Sequence, residues 1–184
     1  RWYPGGGLYR PVKLILSGES AIDTWGVSIT TPEVSESKAT VQAQVALREG
    51  SADGLEAQLE VLDAGGKAVA SGRGQFSGGR LSHTLTLDRP ALWSPESPSL
   101  YTLVTRVLGG GKVIDENRTR FGVRSIAFSR ENGFQLNGKT RKFKGVCLHH
   151  DLGPLGAAVN EAAISRQIRI MKDMGCDAIR TSHN

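Results

Sequence analysis

Cysteine is scarce in this chain: Cys147 and Cys176 are the only two among 184 residues. Neither has a near neighbour of its kind, so no Cys-x-x-Cys metal or redox pattern exists. Both lie in apolar, strand-like surroundings and are expected to be buried free thiols. A disulfide stays open only if adjacent strands bring them together. Long apolar runs are absent too. No stretch approaches the roughly 20 residues of a membrane-spanning helix, and no membrane partner is expected. Aromatics make up only 6% of the chain, and the net charge is +5. The basic residues are scattered, densest at Lys139, Arg141, Lys142 and Lys144, and are nowhere interleaved with aromatics. No nucleic-acid partner is therefore expected. The chain opens on Arg1-Trp2-Tyr3, without a Met or a leader pattern. Its natural start is expected upstream, and the compartment is not read from it.

Glycine, by contrast, is abundant at 23 residues, beside 39% hydrophobic and 22% charged content. That composition belongs to a globular, turn-rich chain long enough to bury a core. Residues 1–16 read as a Gly-rich loop followed by an alternating strand, with Val12, Leu14 and Leu16 on one side. With no partner before it, this strand is expected to be the last of a preceding domain. Residues 17–125 read as all-β. Trp25, Val27 and Ile29 alternate, as do Val41, Ala43, Val45 and Leu47. Leu59 and Val61 lead to Asp63-Ala64-Gly65-Gly66, a hairpin signal. Leu81, Leu85 and Leu87 mark a further strand. Tyr101, Leu103 and Val107 mark the next, which turns at Gly109-Gly110-Gly111. About seven short strands over roughly 100 residues is the pattern of an immunoglobulin-like β-sandwich.

From residue 126 to 184 the character changes. Leu136-Asn137-Gly138-Lys139 is a tight-hairpin signal. Phe143 to Leu148 is a short, mostly apolar run suited to a buried parallel strand, and His149-His150-Asp151 follows it. Asn160 is a good N-cap, Ile164, Ile168, Met171 and Met174 recur at helical spacing, and Gly175 is a natural stop. Cys176 to Ile179 begins another strand, which ends in Arg180-Thr181-Ser182-His183-Asn184. Strand, helix, strand is a βαβ unit with parallel strands. One such unit cannot cover its own sheet. The expected fold class is therefore mainly β: an immunoglobulin-like sandwich followed by the truncated βαβ start of a larger α/β sheet, a (β/α)8 barrel with six more strands or an open sheet with several.

Polar residues at the C-terminal ends of barrel strands read as active-site residues. His149 and His183 fall at such ends, where an imidazole donates to a substrate hydroxyl or, more blandly, to a backbone carbonyl. Arg180 lies slightly earlier, and its fork suits a carboxylate, whether catalytic or merely structural. Asn184 is a further contact candidate. His150 and Asp151 are weaker candidates, because alternation sends neighbours to opposite sides. Three consecutive residues rarely converge on one ion, so no metal is expected. Asn160-Glu161 is read as a helix cap with a favourable first-turn acid. Trp2, Trp25 and Trp93 are either stacking platforms for a ligand or, more commonly, packing residues.

These motifs carry a resemblance. Trp2-Tyr3-Pro4 with Leu8-Tyr9-Arg10, Trp93-Ser94-Pro95 with Pro98, Leu100 and Tyr101, Phe121-Gly122-Val123-Arg124, Leu136-Asn137-Gly138, Gly145 to Asp151, and Ile179 to Asn184 stand in the order of one family's signatures. The chain resembles glycoside hydrolase family 2, the β-galactosidase, β-glucuronidase and β-mannosidase group. The His-His-Asp-Leu-Gly form is most similar to its β-galactosidase-type members. The resemblance implies a jelly-roll end over 1–16, the immunoglobulin-like domain over 17–125 and the barrel start over 126–184. It implies a retaining exo-β-glycosidase acting on terminal β-linked sugars. His149, His183, Asn184 and Asp151 would contact the sugar, with Arg180 supporting a catalytic carboxylate. The family's acid/base and nucleophile Glu residues have no counterpart here, so this chain alone is expected to be inactive. No cofactor is implied. A homo-oligomer of the longer enzyme stays open, and a periplasmic or extracellular location rests on resemblance alone. One departure is Asp177, where the family usually has Asn. The alternative reading is a non-catalytic immunoglobulin-like spacer or carbohydrate-binding module.

Overall fold

The computed structural model describes residue 8 and residues 11–51, 53–149, 152–158 and 160–181. The chain divides into two compact units. One spans Leu16–Arg141, and the other joins Lys142–Asn184 with Arg1–Ile15.

The first unit is a two-sheet sandwich. One sheet has the order β1 (Ile22–Val34), β2 (Lys38–Leu47), β5 (Arg80–Asp88). The other runs β4 (Ala68–Gln75), β3 (Glu56–Leu62), β6 (Tyr101–Gly109), β7 (Lys112–Phe121). Every pairing in them is antiparallel. The period-two pattern decides which residues go inside. Odd-numbered residues of β2, β3 and β6 form the buried core, including Val41, Val45, Leu59, Val61 and Leu103. Burying such side chains stabilises the sandwich by roughly 1.5–3 kcal/mol each. The turns follow the chain's chemistry. Gly110 and Gly111, both at positive φ, close the β6–β7 hairpin. Asp63 Oδ1 accepts the N–H groups of Gly65 and Lys67, at 2.9 Å each, in the β3–β4 turn.

Two expectations for the first 30 residues fail. Residues 11–18 form no strand, and Val12, Leu14 and Leu16 are exposed. The alternating pattern is present, but a strand exists only when a neighbour accepts its hydrogen bonds. Trp25 does not share the face of Val27 and Ile29. A register shift separates Ile22 from Val27, and Trp25 sits at φ 61°, 96% exposed. That bulge breaks the alternation, while Val27 and Ile29 still pack on the core.

A three-stranded meander, β8 (Ile126–Ser129), β9 (Gly133–Leu136) and β10 (Lys139–Thr140), completes this unit. The expected domain boundary at 125/126 follows the change in pattern; by contact the unit continues to Arg141. Asn137 (φ 50°) and Gly138 (φ 73°) form the β9–β10 turn, as the Asn-Gly pair suggests.

The second unit contains β11 (Gly145–Leu148), a 3-10 turn at Gly153–Leu155, the helix α1 (Glu161–Asp173) and β12 (Ala178–Thr181). β11 and β12 pair in parallel. Asn160 Oδ1 accepts the Ala163 N–H at 3.0 Å, so Asn160-Glu161 is indeed a helix cap. The helix ends in a Schellman motif. Cys176 N–H donates to the Met171 carbonyl and Gly175 N–H to that of Lys172, with Gly175 at φ 90°. The expected burial of β11 does not occur. Its residues are exposed or half-buried, and no residue of α1 is fully buried. Cys147 is accordingly exposed and Cys176 half-buried, both as free thiols. A lone βαβ unit has too little surface to cover itself.

Candidate functional site

The parallel ladder fixes the relative positions of the candidate residues. Its register pairs Gly145 with Ala178, Val146 with Ile179, Cys147 with Arg180 and Leu148 with Thr181. Residues paired across a ladder project to the same side, so Cys147 and Arg180 share one face, opposite to Val146 and Ile179. Both are exposed. His149 follows directly on Leu148, at the C-terminal end of β11. Arg180 is the third residue of β12. Adjacent parallel strands therefore carry His149 and Arg180 toward the same end of the sheet. His183, Asn184 and Asp151 lie outside the described residues.

Other carboxylates nearby have local duties. Glu161 stands in the first turn of α1, where the helix dipole favours it. Asp173, at the last helical position, is exposed. Asp177 ties the two strands together just before their paired residues begin. Its Oδ1 accepts the Lys144 N–H at 2.8 Å, and its own N–H donates to the Lys144 carbonyl at 2.9 Å. An Asn would offer the same oxygen. Among the described residues, no group of three His, Cys, Asp or Glu is arranged to hold a metal ion.

Electrostatic perturbation is found on the sandwich. The Arg141 guanidinium, 2.8 Å from Glu96, holds that carboxyl below its ordinary range. Arg118 and then Arg106 do the same for Glu116. These are ion pairs of a structural kind. An open groove of about 640 Å³ also lies within that unit, lined by residues including Ser35, Ser94 and Arg141. It contains none of the candidate residues.

Three of the signature motifs meet at a structural node. Trp93 N–H donates to the Val123 carbonyl at 2.8 Å, and the Arg124 guanidinium lies 5.1 Å from the Trp93 ring centroid. Gly122 leaves room for the ring, since a Cβ there would come within 2.9 Å of it. Asn137 completes the node: its Nδ2 donates to the Trp93 carbonyl and its Oδ1 accepts the Ser125 N–H, each at 3.0 Å. The packing reading of Trp93 is therefore the one its surroundings support. Sequence reading found the motifs but not this convergence, because the segments are up to 44 residues apart.

An antiparallel β-sandwich and, after it in the chain, a parallel βαβ unit match the element order expected of an immunoglobulin-like domain and the first strands of an α/β barrel. The sequence profile of Glycosyl hydrolases family 2 matches residues 22–124, and that of the family's TIM barrel domain matches residues 128–184. The chain belongs to glycoside hydrolase family 2. The β-galactosidase BoGH2A of Bacteroides ovatus is 40% identical over 191 residues, which cover 100% of this chain and 22% of that protein. A β-glucuronidase of Bacteroides fragilis is 32% identical over 190 residues, covering 97% and 27% respectively. The crystal structure of a family 2 member from Bacteroides cellulosilyticus superposes with a TM-score of 0.93 at 40% identity, covering 100% of this chain and 26% of that one. The chain thus spans about a fifth to a quarter of the length of the relatives it matches.

Proposed function

We propose that this chain is part of a retaining exo-β-glycosidase that removes terminal β-linked sugars, with β-galactosides as the first substrates to test. Residues 17–125 serve as its immunoglobulin-like domain, residues 126–184 begin its catalytic barrel, and residues 1–16 end a preceding jelly-roll domain. His149, His183, Asn184 and Asp151 contact the sugar. Hydrogen bonds from such groups strengthen as positive charge builds on the ring in the oxocarbenium-like transition state. Arg180 donates a fork of N–H groups to a catalytic carboxylate, keeping it ionised and oriented. The acid/base and nucleophile Glu residues come from later barrel strands, about 5–5.5 Å apart as double displacement requires.

The observation that most supports this reading is the parallel β11–β12 register, which carries His149 and Arg180 to one end of the sheet. The relatives' names divide between β-galactosidase and β-glucuronidase, so the sugar must be decided by assay. The full-length protein is expected to release nitrophenol from a nitrophenyl β-galactoside faster than from the β-glucuronide. His149→Ala is expected to lower its kcat/KM by roughly a hundredfold, the loss of about 2.7 kcal/mol of transition-state stabilisation. The 184-residue chain alone is expected to release none. Turnover by this chain alone, or none by the full-length protein on either substrate, would refute the reading.

A further inference from the structure

We propose that Asp177 is a positioning residue: it locks the register of β11 against β12 and so sets the separation of His149 from Arg180. The inference rests on the function proposed above for what it says about catalysis.

A four-residue parallel pair is short, and few bonds define its register. A slip by one residue would turn Arg180 to the other face. A slip by two would carry it about 6.6 Å along the strand. Misplacement by as little as about 1 Å can cost a hundredfold in rate.

Asp177 acts at the N-terminal end of the pair, immediately before Ala178, and Lys144 stands immediately before Gly145. The two residues make a two-point clip. The Asp177 carboxylate accepts the Lys144 N–H, and the Asp177 N–H donates to the Lys144 carbonyl. Together the two bonds extend the ladder one step beyond Gly145 and Ala178, the terminal pair of its register. It also ties one particular side chain to one particular amide, which a repeating backbone ladder cannot do for itself. Gly145 adds a steric constraint beside the clip. A Cβ there would lie 3.3 Å from both the Cβ and the carbonyl oxygen of Ala178, so the strands run close at this point. The contact needs an oxygen acceptor, and Asp and Asn both provide one.

The test uses the full-length protein and three variants: Asp177→Asn, Asp177→Ala and, as a reference for loss of a sugar contact, His149→Ala. Exchange of the Lys144 amide hydrogen and the kinetic constants on a nitrophenyl β-galactoside are measured together. The alanine variant is expected to exchange the Lys144 amide at least tenfold faster and to lose at least tenfold in kcat/KM. The asparagine variant is expected to keep wild-type protection at Lys144 and kcat/KM within about twofold of wild type. If Asp177→Ala leaves kcat/KM unchanged, or leaves the Lys144 amide protected, the inference is overturned. The asparagine variant decides the matter should the alanine variant fail to fold: an equal loss in Asp177→Asn would mean that the shared acceptor is not what matters. If the wild-type protein cleaves no glycoside, the proposed function fails separately, and Lys144 exchange still decides whether the clip exists.

Discussion

At the scale of single residues, the sandwich contains one conspicuous misfit. Thr105 is fully buried on the inward side of β6, between Leu103 and Val107, and its Oγ1 has no hydrogen-bond partner among the described residues. A buried hydroxyl without a partner costs roughly 1–3 kcal/mol relative to one that is satisfied. Val has nearly the same shape and nothing to satisfy. Thr105→Val is therefore expected to stabilise the chain by about 1 kcal/mol, raising its thermal midpoint by about 3–5 °C. Differential scanning calorimetry of the two chains measures this, and an unchanged or lower midpoint would mean that the hydroxyl has a bonded role. Alternation in the sequence places position 105 inward, but it cannot say whether an inward hydroxyl finds an acceptor. Trp25 shows the opposite limit. The pattern Trp25, Val27, Ile29 reads as one face, yet a bulge at positive φ turns the Trp outward. Nothing in period-two spacing signals an extra residue. Asn160 and Asn137 were legible because their roles are local: a cap three residues from its amide and a two-residue turn.

At the scale of elements, the outer face of β6 and β7 is held by charge. Arg106 pairs with Glu60 at 3.4 Å and with Glu116 at 2.8 Å, and Arg118 pairs with Glu116 at 3.1 Å. Hydrogen bonds from Arg118 first, then Arg106, lower the Glu116 pKa, while the same ladder raises that of Arg106. The sign follows from linkage. A carboxyl whose folded pKa lies below its unfolded value of about 4.3 contributes stability above that value. The contribution is lost as pH falls through the lower, folded pKa. These groups are near the surface, so the effect is modest and screened by salt. Thermal midpoints of the chain between pH 7 and pH 3 are expected to fall in the acid range. Glu116→Gln is expected to flatten that fall, and 1 M NaCl to reduce the difference between the two chains. Identical pH profiles would show the ladder to be energetically idle. The element types themselves were legible: seven sandwich strands, the Asn-Gly hairpin and the strand–helix–strand order all follow from hydrophobic period and turn residues. Ion-pair partners were not, because Glu60 and Arg106 meet only once β3 and β6 are paired.

At the scale of the whole molecule, the two units differ in how much of their own apolar surface they cover. In the sandwich unit, Val41, Leu59, Val61 and Leu103 are sealed between two sheets. In the other unit, Ile168 is 44% exposed, Met174 68% and Ile179 36%. Parallel strands are ordinarily covered on both faces, and a (β/α)8 barrel provides that cover only when its other strands and helices are present. This explains why the sequence led to a buried β11 and a buried Cys147. The apolar run is written for a sheet with neighbours, and period alone does not say whether those neighbours lie within the same 184 residues. The relatives, of which this chain spans 22% and 27%, supply the scale of what such a sheet requires. Local stability should follow cover, since opening an uncovered element exposes little new apolar surface. In the 184-residue chain, amide hydrogens of β11 and β12 are therefore expected to exchange at least a hundredfold faster than those of β2, β3 and β6. In the full-length protein that gap is expected to close. Hydrogen exchange read by mass spectrometry resolves the two sets, because they fall in well-separated peptides. If β11 and β12 are as protected in the short chain as β3 is, the βαβ unit is stable by itself. The rest of a barrel would then not be required for its order.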